Sequence, residues 1–191
     1  HSATMVKAGV YLIARLAPVF ADHGAWRPLV WTIGLVTMIT GGVKALREVD
    51  LKGILAGGTV SQLGFLVVVF GTGTPDAVEA GIVLLVAHAA FKAALFLVVG
   101  MVDHLAHTRD VRALGAYGPG WGPARAVFVV SCASMAGLPL LAGFVAKEAA
   151  FDALHVAGND GVGGAAVVLA GVVVGSILTF AYTARLLLGA F

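Results

Sequence analysis

Residues 82–99 read I-V-L-L-V-A-H-A-A-F-K-A-A-L-F-L-V-V, and between Glu79 and Asp103 the only ionisable side chains are His88 and Lys92. A helix needs ~20 mostly apolar residues to cross a hydrocarbon core, and this stretch supplies them without a proline or an acid. The rest of the chain points the same way. Of 191 residues 60% are hydrophobic and 12% are charged, half the ~25% usual in a soluble domain. Mean hydropathy is +0.99. A small soluble domain leaves too much of its surface exposed to hide so many apolar side chains, so the solvent is lipid. Lipid admits only helices or closed barrels, and the apolar runs are too long and too uniform for barrel strands. The expected fold is all-α: a polytopic transmembrane helix bundle.

Six segments qualify as spans, roughly 2–20, 27–48, 53–71, 76–102, 124–155 and 162–190. Turn chemistry separates them at Asp22 to Pro28, Gly71 to Pro75, Gly115 to Pro123 and Gly158 to Gly164. Lys44, Arg47 and Lys52, then Arg109, Arg112 and Arg125, and finally Arg185 fall on one side of the membrane. Asp22, Asp76, Glu79 and Asp160 fall on the other with Arg27. The positive-inside rule makes the first side cytoplasmic. The chain starts at His1 and reads as a segment of a longer protein.

An ammonium at the middle of a span costs ~2.5–3.5 kcal/mol on insertion scales, so Lys92 faces protein or trapped water. His88, four residues earlier, shares its helical face. Imidazole titrates near neutral pH, which suits the pair to proton exchange. A structural lysine bonded to a carbonyl or carboxylate is the plain alternative. Lys7 lies two turns into the first segment, where it either joins a relay or snorkels to the interface. Lys147 follows S-M-A-G-L-P-L-L-A-G-F-V-A-K-E, whose Gly137 and Pro139 predict a break in segment 124–155. Broken helices at membrane depth are tolerated where they line a cavity, and their free ends suit ions; a packing kink is the alternative. Glu148, Asp152 and His155 share one stripe beyond Lys147, as a proton exit, a hydrated-cation path or a solvated helix end.

Several function classes are excluded. Net charge is only +2 with no basic block, so no nucleic-acid partner is expected. The single Cys132 forms no disulfide framework or metal cluster, and no Walker or dinucleotide fingerprint occurs, so no cofactor or metal is expected. No nucleophile–base set stands out. G-I-L-A-G at 53–57 and G-V-V-V-G at 171–175 match the small-residue packing pattern. Trp26, Trp31 and Trp121 fall near the expected interfaces, and Arg109–Asp110 reads as a loop contact or a lipid-headgroup anchor.

Four motifs then appear in order: H-S-A-T-M-V-K-A-G-V-Y-L-I-A-R, D-L-K-G-I-L-A-G-G-T-V-S-Q-L-G, A-H-A-A-F-K-A-A-L-F-L-V-V-G and S-M-A-G-L-P-L-L-A-G-F-V-A-K-E. The chain resembles the antiporter-like membrane subunits shared by Mrp-type cation/proton antiporters and respiratory complex I, and most of all the large A-type subunit of the Mrp antiporters. The resemblance implies a fourteen-helix core of two inverted five-helix repeats, with this chain as helices eight to thirteen. Residues 2–20 would be the linking helix and 27–190 the second repeat. It assigns His1 and Lys7 to that linking helix, His88 and Lys92 to the central relay, and Lys147 to the outward lysine of the broken helix. It implies a bacterial plasma-membrane location, with sibling membrane subunits for partners, and protons and monovalent cations as cargo. Two departures stand out. Leu84 stands where a second histidine is common, and Gly57 and Gly58 replace an aromatic and a serine. The expected function is proton translocation in a Na+(K+)/H+ antiporter. A distal antiporter-like subunit of NADH:quinone oxidoreductase and a purely structural scaffold remain the alternatives.

Overall fold

The computed structural model describes residues 5–114 and 121–190. His1 therefore lies outside the described residues. The α-helices are α1 (Ala8–Phe20), α2 (Trp26–Arg47), α3 (Leu51–Thr72), α4 (Pro75–Ala106), α5 (Gly122–Ala136), α6 (Ala142–Asn159) and α7 (Ala165–Ala190). A 3-10 turn, Met5–Lys7, leads into α1. Four helices, α2, α3, α4 and α7, are each long and apolar enough to cross a membrane alone. The expected segment 124–155 is the pair α5 and α6, split at Gly137 as the glycine and proline predict.

Local chemistry sets the boundaries. The Asp50 carboxylate accepts the Gly53 N–H at 2.9 Å and starts α3. Thr74 does the same for α4, with Pro75 in the first turn where its missing N–H costs nothing. Gly73 ends α3 in the left-handed region that glycine enters without strain.

Helix α3 is the hub and touches α1, α2, α4, α6 and α7. It is buried on nearly every side, which explains a sequence apolar all round rather than amphipathic. Helix α2 lies along it on glycines spaced seven apart, two helical turns. A Cβ on Gly34 would meet the Val68 side chain at 2.7 Å, and one on Gly41 would meet the Ser61 N–H at 2.6 Å. Gly57 faces Ala45, and Gly64 faces Gly34 and Met38, in return. Backbones approach this closely only where no side chain intervenes. The two five-residue glycine patterns also serve α2 in part, since Gly57 packs on Ala45, Gly171 on Leu35 and Gly175 on Met38.

The two ends of the bundle differ. At the basic end Lys52 pairs with Asp103 at 2.7 Å and Arg109 pairs with Asp50 at 2.8 Å. An isolated backbone bridge joins Asp50 to Asp110. The α2–α3 and α4–α5 connections therefore meet at one end, as loop charge predicts. Arg109 and Asp110 thus make a loop contact with Asp50 rather than an ion pair with each other. Asp110 is held by Arg112 instead, whose guanidinium keeps the carboxyl down at about 2. At the opposite end Arg27 donates to the Thr72 carbonyl and Trp26 to that of Gly71, both at 2.9 Å. Trp31 is buried and donates to the Thr72 hydroxyl, so it locks α2 to α3 rather than facing lipid headgroups.

Candidate functional site

Lys92 sits midway along α4 and is 0% exposed. Its stem crosses to α3, where Nζ donates to the Leu55 carbonyl at 3.0 Å. The Thr59 hydroxyl donates to the same oxygen at 2.8 Å. Leu55 stands only one helical turn, ~6 Å, inside the start of α3. The amine therefore rests towards the basic end of the bundle. No carboxylate among the described residues lies within ion-pair distance of it. Around the amine, Cys132 of α5 is near enough to feel its charge, and Gly58 leaves it room. A Cβ on Gly58 would stand 3.1 Å from the amine and 2.8 Å from the Tyr182 ring of α7. The glycine that departs from the resembled pattern thus opens space where the lysine head lies.

His88, one turn back along α4, is likewise 0% exposed. Its ring meets that of Phe91 edge-on at 5.5 Å between centroids. Neither ring nitrogen has a hydrogen-bond partner among the described residues. Buried polar atoms are nearly always satisfied, because an unmade bond costs the full desolvation penalty of ~1–3 kcal/mol. Lys92 and Lys7 both lie close enough for their charges to act on the imidazole. Lys7, in the turn before α1, is itself buried. The structure thus sets His88 one turn from Lys92 on α4, with Lys7 near enough for its charge to act on the ring.

Lys147 is placed by the helix break. Gly137 ends α5 with φ +87°, and the Leu138 N–H returns to the Ala133 carbonyl at 3.0 Å. The Ala136 carbonyl is left at the helix end, and Lys147 Nζ donates to it at 2.8 Å. A cation at a helix C-terminus also complements the macrodipole. The first turn of α6 is held by the Ser134 hydroxyl, which accepts the Gly143 N–H at 3.1 Å. Pro139 lies in the connection between the two helices, beside Leu140 at φ +72°. The break thus leaves free the carbonyl that Lys147 occupies.

Glu148, Asp152 and His155 are arranged differently. They do share a stripe of α6, and all three are exposed where Lys147 is buried. They make no ion pair among the described residues. No three His, Cys, Asp or Glu side chains among the described residues converge as a metal cage would need.

Sequence reasoning missed several neighbours of Lys92. The Leu55 carbonyl carries no side-chain signal at all. Tyr182 was visible only as a polar residue in an apolar run. Ser176, Thr179 and Thr183 recur at helical spacing on one face of α7, which was the available clue.

Residues 2–179 match the transmembrane family described as NADH:quinone oxidoreductase/Mrp antiporter. The chain is 45% identical over 168 residues to the Na(+)/H(+) antiporter A-subunit of Alkalihalophilus pseudofirmus, covering 81% of this chain and 21% of that protein. It is 39% identical over 213 residues to the Na(+)/H(+) antiporter A1-subunit of Staphylococcus haemolyticus, covering 100% of this chain and 26% of that one. The chain thus spans roughly a fifth to a quarter of the length of these relatives. Its fold matches a chain of the Mrp complex from Dietzia sp. with a TM-score of 0.90 and 42% identity, over 98% of this chain and 21% of that one. A chain of respiratory complex I from Thermus thermophilus shares the fold at a TM-score of 0.85, with 23% identity, over 98% of this chain and 39% of that one. With its apolar helices and bacterial relatives, this is an integral protein of the plasma membrane. The chain belongs to the NADH:quinone oxidoreductase/Mrp antiporter transmembrane family.

Proposed function

We propose that this chain is the proton-conducting second half of the large A-type subunit of a Mrp complex, a multisubunit Na+(K+)/H+ antiporter. Residues 2–20 act as the linking helix and 27–190 as the second inverted five-helix repeat. Helices α2, α3, α4, the α5–α6 pair and α7 supply five crossings for that repeat. Protons pass along Lys7, His88, Lys92 and Lys147, with His1 at the linking-helix end and water between the side chains. Glu148, Asp152 and His155 form an outward lip or hydrated-cation path against a sibling membrane subunit. The side chains shuttle protons and make no covalent bond with the cargo. A charge arriving on one lysine biases the next, because Coulomb coupling is strong where the dielectric is low.

The observation that carries this reading is the junction at Lys92 and His88. A fully buried amine, with no counter-ion among the described residues, stands one turn from a fully buried imidazole whose two nitrogens find no partner among them. The Leu55 carbonyl holds the amine as the plain structural alternative expects, so it is the unpartnered imidazole beside it that favours a wet proton path over a scaffold. The antiporter relatives favour this reading over the distal subunit of NADH:quinone oxidoreductase, for which the likeness at 23% identity speaks only to fold.

The test is dye-monitored antiport in vesicles carrying the full complex. Lys92→Met is expected to assemble normally and to lose at least about tenfold in rate, a barrier increase of ~1.4 kcal/mol. Full transport by that variant would return the chain to the scaffold class.

A further inference from the structure

Building on Lys92 as the relay centre, we infer that Tyr182 of α7 is a positioning residue that fixes where the Lys92 amine rests. Tyr182 is 0% exposed and is the largest fully buried side chain among the described residues. Its ring lies against Gly58, where a Cβ would stand 2.8 Å from Cε2 and 3.0 Å from Cζ. The same Cβ would stand 3.1 Å from Lys92 Nζ. Ring and amine therefore share the notch that the bare glycine leaves in α3. The floor of the notch is the backbone that accepts the amine, the Leu55 carbonyl.

The ring is held at its tip. The Tyr182 hydroxyl donates to the Gly58 carbonyl at 3.5 Å. Gln62 Nε2 in turn donates to the Thr179 hydroxyl at 3.1 Å, and that hydroxyl donates to the Gly175 carbonyl at 3.0 Å. Gln62 lies one turn beyond Gly58 on α3, and Thr179 lies one turn from Tyr182 on α7.

A lysine head on a flexible four-carbon stem takes whatever acceptor it reaches. The seam between α3 and α7 offers two, the Gln62 amide oxygen and the Thr179 hydroxyl. The Tyr182 ring fills the notch beside Gly58 and stands next to the amine at the near end of that seam. The amine is thereby kept on the Leu55 carbonyl and within one turn of His88, rather than drawn along the seam. Tyr182 handles no proton of the cargo; it acts through Lys92.

The experiment uses the intact antiporter complex in vesicles, with Tyr182→Phe, Gly58→Ala and Lys92→Met compared for assembly, turnover, cation KM and the pH profile of antiport. Tyr182→Phe is expected to assemble as wild type, to lose about three- to tenfold in turnover per complex, and to move the midpoint of the pH profile by about half a unit. Cation KM should stay unchanged. Gly58→Ala should act the same way, because its methyl group displaces ring or amine. If Gly58→Ala fails to assemble, Tyr182→Phe still decides. A Tyr182→Phe complex with wild-type turnover and pH profile overturns the inference. So does one that loses only assembly, with each assembled complex working normally. Loss of transport in Lys92→Met beside an unaffected Tyr182→Phe sinks this inference alone, while full transport in Lys92→Met removes the relay and its positioning residue together.

Discussion

Lys147 depends on Gly137 twice over. The glycine takes a φ of +87° that ends α5, and it leaves space beside the lysine stem. An added Cβ would stand 3.0 Å from Lys147 Cδ and 3.3 Å from Nζ. Gly137→Ala therefore combines a left-handed strain of ~1–2 kcal/mol with displacement of the amine from the Ala136 carbonyl. The expected result in the vesicle assay is a severalfold drop in antiport, larger than for a change at exposed Leu138. Equal rates for both variants would detach Lys147 from transport. At this scale the sequence was informative about charge and silent about backbone. A lysine in an apolar run advertises itself because lipid cannot hold it. The Leu55 and Ala136 carbonyls that receive the two amines belong to residues whose side chains say nothing.

Among the elements, the α2–α3 pair is the most constrained. Its glycines at 34, 41, 57 and 64 place backbone against backbone, and the pair carries the α3 register that aims the Leu55 carbonyl at Lys92. Gly64→Ala would drive a methyl group into the Gly34 carbonyl and the Met38 backbone, which cannot yield as a side-chain tip does. Overpacking of this kind costs ~1–3 kcal/mol. The amount of assembled complex should fall for Gly64→Ala and stay level for Gly100→Ala, where a Cβ meets nothing within 4 Å. Immunoblots of purified membranes read the difference; equal levels would mean that the close approach is not needed. The glycine patterns starting at 53 and 171 were legible, but their shared partner was not. The α6 stripe was legible too, and its direction was not. Spacing puts Glu148, Asp152 and His155 on one face, but only packing decides which way the face looks.

Over the whole molecule, two ends with different polar chemistry enclose the buried junction. The basic end is tied by Lys52, Asp103, Arg109 and Asp50, all partly exposed. Solvent screens pairs as exposed as these and leaves them little weight, so Asp103→Asn should leave antiport near the wild-type rate. A loss comparable to that of Lys92→Met would show that this acid carries protons. Asp110 is pulled from its usual 3.8 to about 2 by the hydrogen bonds from Arg112. A depressed carboxyl contributes fully above its unfolded value and loses that contribution only as pH falls through about 2. The clasp is thus constant across the pH range of antiport, and Arg112→Ala should leave the pH profile unchanged; a displaced profile would tie the loop to the relay. The sidedness of these ends was readable from loop charge because like-signed loops collect on one side. The pairing inside them was not, since Arg109 reaches across to Asp50 rather than to its neighbour Asp110.

The claim beneath all of this is that His88 and Lys92 share a wet internal path. A high-resolution density map of the intact complex tests it most directly. The account predicts ordered water within hydrogen-bond distance of both His88 nitrogens, continuing past the Lys92 amine towards Lys147. A map in which neighbouring helices hold both nitrogens and the amine, with no solvent between them, would contradict it.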